Sequence, residues 1–102
     1  MALKRIEYDE ALRGYMAQKG LSTIVVEVVS SQNSDIEVTE LHVHLVREGK
    51  AEEFKKRKYR SVETELGEVL LPPYVLEYDE TVRFSLGSFW IFHWVKQTGI
   101  RL

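Results

Sequence analysis

His42 and His44 stand one residue apart in "LHVHLVREG", and Glu48 follows four positions later, a spacing of H-x-H-x3-E. On a strand, residues i and i+2 share a face, so both imidazoles can converge on one ion. Glu48, with His93 or Glu40, would complete a mononuclear site of His and Glu ligands. The plainer account weighs more: two polar side chains beside Glu40 on a solvated sheet face need no ion.

Two other clusters carry chemistry. "KKRKYR" packs Lys55, Lys56, Arg57, Lys58 and Arg60 into six positions. Between Arg47 and Arg60 there are seven basic and three acidic residues, a local excess of four in a chain of net charge −2. Such a patch beside Phe54 and Tyr59 can bind RNA or a phosphate-bearing ligand. No RRM, KH or helix-turn-helix signature accompanies it, and a solvated segment that blocks wrong edge pairing explains it as well. Nucleic acid is therefore not the expected partner. Trp90, Phe92 and Trp94 fall on one parity of "FWIFHWVKQ"; they can stack a planar ligand, but a protein interface is the favoured reading. Nucleophilic catalysis has no G-x-S-x-G elbow to stand on, and neither a phosphate-cradling glycine loop nor an H-E-x-x-H motif occurs.

Composition bounds the rest. The 102 residues, 44% hydrophobic and 11% aromatic, suit one folded domain spanning 1–102. The absence of cysteine excludes disulfides, thiolate nucleophiles and cysteine-ligated zinc or iron–sulfur clusters. No apolar run suits a signal peptide or a membrane span, so a cytoplasmic protein without membrane contact is expected.

These residues need elements to position them. "YDEALRGYMAQKG" predicts the only well-formed helix, with Asp9 as N-cap, Gly20 as the left-handed stop and Tyr8, Leu12, Tyr15 and Met16 along one face. "LSTIVVEVV" predicts a buried strand, "SSQNSD" a connection, and "IEVTELHVHLVR" a second strand. The apolar parity of that second strand switches near Thr39–Glu40, which predicts a bulge or break. "EGKAEEFKKRKYR" reads as a charged segment with at most a short helical turn. A strand, a turn at Gly67, a short strand and a stop at Pro72–Pro73 follow. "TVRFSL" points Val82, Phe84 and Leu86 inward. After Gly87 a last strand is apolar on both faces, hence central in a sheet or covered by another subunit.

Two resemblances bear on this pattern. The H-x-H-x3-E run resembles the first metal motif of cupins, with Ile36 and Lys55 where that family has glycines. The order of elements over nearly the whole chain resembles the HesB-like (A-type) iron–sulfur biogenesis family. "IEYDEALRGYMAQKG" is similar to its opening strand and helix, and "STIVVEVVSS" to the strand that follows. "YRSVETELGEVLLPPYVLEYDETVRFSL" is similar to its strand, glycine turn, strand, short helix and strand, and "GSFWIFHWVKQTGI" to its closing strand. The resemblance implies cluster ligation through cysteines that would fall around Ser30–Ser31 and in or beyond "KQTGIRL", where this chain has no thiol. It therefore implies the scaffold without the cluster. The expectation is an α+β, strand-rich HesB-like domain with one N-terminal helix packed on a mixed or antiparallel sheet. It would hold no cofactor, act as a non-enzymatic interaction or regulatory module on an unknown protein partner, and dimerise through Trp90, Phe92 and Trp94. The alternative is a small cupin-like metal-binding protein using His42, His44, Glu48 and His93.

Overall fold

The computed structural model describes residues 3–33 and 35–102. The chain runs β1 (Arg5–Tyr8), α1 (Glu10–Lys19), β2 (Thr23–Asn33), β3 (Ile36–Val46), α2 (Glu48–Lys56), β4 (Arg60–Thr64), β5 (Gly67–Leu71), β6 (Glu77–Phe89) and β7 (Phe92–Arg101). The strands form two sheets, in the orders β1-β6-β7 and β3-β2-β5-β4. Both are mixed. β1 runs parallel to β6 and β2 parallel to β5, whereas β2–β3, β4–β5 and β6–β7 are antiparallel. Strand dominance, the α+β class and the mixed sheets agree with the sequence reading.

The β-branched run of β2 explains the layering. Ile24 and Val26 face one way and, with Val69 and Leu71, meet Val82 and Phe84 of the other sheet. Val25 faces the opposite way and joins Leu70, Ala51, Phe54 and Tyr59 in a second cluster under α2. The first part of β2, through Val26, is thus buried on both sides. Edge strand β3 approaches β7, drawing the two sheets together along one side. The opposite edges, β1 and β4, flank a cleft.

α1 forms as its caps predict. The Asp9 carboxylate accepts from the Leu12 N–H at 2.8 Å, and Gly20 closes the helix at φ 67° with its N–H on the carbonyls of Ala17 and Met16. Leu12 and Met16 are buried in the main core. Gly67 opens β5 at φ 147°, and a Cβ there would overlap the Ser22 carbonyl that accepts from the Glu68 N–H at 3.1 Å. The turn itself is Glu65–Leu66, just before Gly67.

Five expectations are corrected. The charged segment is a full second helix, α2, because Ala51 and Phe54, three apart, both bury against the sheet while the charges stay in solvent. Ser30–Asn33 of the polar run are strand: β2 continues to Asn33, its register with β3 is unbroken from Thr23↔Val46 to Asn33↔Ile36, and Ser34 lies outside the described residues. No bulge is needed, since the outer half of this hairpin projects beyond the core and leaves Ile36 and Val38 exposed. The last segment is not one strand: β6 ends at Phe89, Trp90–Ile91 make a two-residue turn, and β7 starts at Phe92. Residues 72–76, where the HesB-like pattern implies a short helix, hold none, consistent with paired prolines that remove backbone donors.

Candidate functional site

The register of β2 with β3 sets His44 opposite Val25 and His42 opposite Glu27, so both imidazoles lie on the α2 side of the sheet. Leu41, Val43 and Leu45, of opposite parity, pack on the main core, as the alternation predicts. His44 Nε2 lies 2.7 Å from Glu27 Oε2, and its ring centroid is 6.4 Å from that of Phe54. His42 Nε2 lies 3.0 Å from Glu40 Oε2. Each histidine therefore holds its own carboxylate. Glu48 begins α2 and is exposed. His93 lies on β7 in the other sheet, stacked on Tyr15 of α1 at 5.1 Å. Among the described residues no three His, Asp or Glu side chains are arranged to hold a metal ion. Glu27 is the member that sequence reasoning missed; its one signal is a carboxylate in an otherwise apolar strand.

The basic run is split by the fold. Lys55 bridges Glu68 at 3.0 Å and Glu52 at 3.6 Å, and the Glu68 contact raises its pKa. Arg57 lies over the rings of Phe54 and Tyr59, at 5.1 and 5.5 Å. Lys56, Lys58 and Arg60 are exposed. Two of the five cations are thus engaged internally, and the patch is weaker than its composition suggests.

The aromatic residues form the most distinctive surface. Phe89, Trp90, Ile91 and Phe92 crown the β6–β7 hairpin and are 64–87% exposed. Trp94, 46% exposed, lies across Gly87 of the paired strand, where a Cβ would overlap its indole. At about 200 Å² per large side chain, the five expose roughly 700 Å² of apolar surface, more than the largest patch of a typical monomer. Trp90 sits at φ 60° in the turn, the left-handed region that glycine occupies freely and a bulky residue does not. From Ser85 to Val95 there is no Lys, Arg, Asp or Glu. Arg83 and Arg101, on the strands below, bond Glu7 and Asp79 at 2.7 and 2.9 Å. The tip is apolar, exposed and without formal charge; Trp90 and Ile91 occupy its turn, while Phe92 and Trp94 share a strand face. The chain matches no family model, no curated protein and no solved structure.

Proposed function

We propose that this chain is a non-enzymatic binding module, interactive or regulatory in role, that pairs with a second copy through the β6–β7 hairpin tip. The observation that carries this reading is the exposed run Phe89–Phe92 with Trp90 in a backbone conformation a large side chain disfavours. Strain of this kind persists where a side chain is needed for function. The exposed area approaches the 800 Å² or so that each partner contributes to a standard interface. Two such tips can meet without like-charge repulsion. A further protein partner would then be engaged by surfaces outside the tip, in a cytoplasmic setting.

The chain's two tryptophans, Trp90 and Trp94, both lie in this hairpin and report on the pairing directly. Emission at high concentration is expected to be blue-shifted and to move red on dilution as the indoles enter water. A spectrum independent of concentration would reject the pairing. In scaffold, the reading is a cysteine-free HesB-like domain, supported by the β1–α1–β2 opening and the β4–β5 hairpin.

A second reading, a small His/Glu metal-binding protein, draws on the shared face of His42 and His44 with Glu27 and Glu40 in contact. Elemental analysis of untagged protein beside His42→Ala/His44→Ala tests it. Near-stoichiometric metal lost in the variant would establish the site; no metal in either would leave the histidines as surface residues.

A further inference from the structure

We propose that the cleft between β1 and β4 accepts an extended segment of a partner protein as an added strand, with an acidic side chain held at one end. β1 pairs on one side with β6, and β4 on one side with β5; each is the terminal strand of its sheet. Alternate N–H and C=O groups of such edges point outward, ready for an incoming backbone. The cleft encloses about 1090 Å³ and is lined on one side by residues 3–8 and on the other by Arg60 and residues 62–65. Its floor is apolar: Ile6, Val62 and Tyr78 are half-buried and pack on the main core. A four-to-five-residue strand, about 17 Å long, matches the lengths of β1 and β4.

The ends of the cleft differ. At one, the Tyr8 hydroxyl meets Thr64 Oγ1 at 2.6 Å and Arg13 is ion-paired with Glu65, tying the two edges together. Asp9, Glu10 and Glu63 stand nearby, so this end is acidic. β1 and β4 run in the same direction away from the opposite end, because Tyr8 and Thr64 are their last residues. That end carries Lys4, Arg5 and Arg60. Lys4 holds Glu80 at 3.6 Å and Arg5 holds Glu7 at 3.1 Å. Arg60 has no carboxylate partner among the described residues. A strand with alternating apolar residues over the floor and a carboxylate beside Arg60 complements this arrangement. It does so independently of the hairpin tip.

The test is selection of displayed random ten-residue peptides on the full chain, followed by amide hydrogen exchange with the synthetic form of the strongest binder. Expected are binders of alternating apolar pattern with an acidic residue, which slow exchange in residues 3–8 or 60–65. Arg60→Glu weakens them at least tenfold, a central proline in the peptide abolishes binding, and Trp90→Gly leaves affinity unchanged. The proposal is overturned if selection recovers no peptide, if Arg60→Glu leaves binding intact, or if protection falls only on residues 89–92.

Discussion

Trp90 sets a side chain against its backbone. At φ 60° a bulky residue is strained on the order of 1 kcal/mol, which glycine would relieve. Trp90→Gly is therefore expected to hold or raise the stability of the unpaired chain in urea unfolding while removing the largest exposed apolar side chain. Lys58, at φ 71° after α2, is the matched control: Lys58→Gly should relieve similar strain and leave association unchanged. Glu68 gives a pH prediction. Burial pushes its carboxyl up, but the Ser61 hydroxyl at 2.5 Å and the Lys55 ammonium outweigh this and hold it below the ordinary 4.5. A carboxyl lowered on folding contributes stability that is present above 4.5 and lost as pH falls through its folded value. Glu68→Gln should thus flatten the acid limb of a stability–pH curve, and an unchanged limb would mean that other carboxylates govern it.

At the scale of elements, what the sequence revealed tracks which elements carry their own punctuation. α1 was legible because Asp9 and Gly20 mark its ends. α2 was not: Arg47 at its N-cap makes no side-chain cap, and its end is turned by Lys58 in place of a glycine. Its two buried residues are masked by seven neighbours that are mostly charged. The β6–β7 hairpin hid for the same reason, since Trp-Ile replaces the Asn-Gly or Gly-containing pair that signals a two-residue turn. The outer β2–β3 hairpin hid because polar residues can pair backbones without a core to face. Of the candidate site, the shared face of His42 and His44 was legible from period-2 spacing, whereas the positions of Glu27 and His93 depend on which strands pair. Phe54→Ala should cost about 3–5 kcal/mol by emptying the cluster that docks α2. A loss below 1 kcal/mol would show that α2 is held by its charges instead. Gly67→Ala should also destabilise markedly, through the clash with Ser22 and the positive φ.

At the scale of the molecule, two mixed sheets share one core, meet along β3 and β7, and leave two kinds of surface unfilled: a charge-free apolar tip and a cleft between edges. The tip is the surface through which we propose that the chain pairs with a second copy. Sedimentation equilibrium of the wild type beside Trp90→Gly tests this pairing most directly. Self-pairing through the tip predicts a reversible dimer in the wild type at concentrations up to about 100 μM, weakened at least tenfold in the variant while its fold is unchanged. A wild-type monomer across that range, or a dimer equally strong in both, would contradict it.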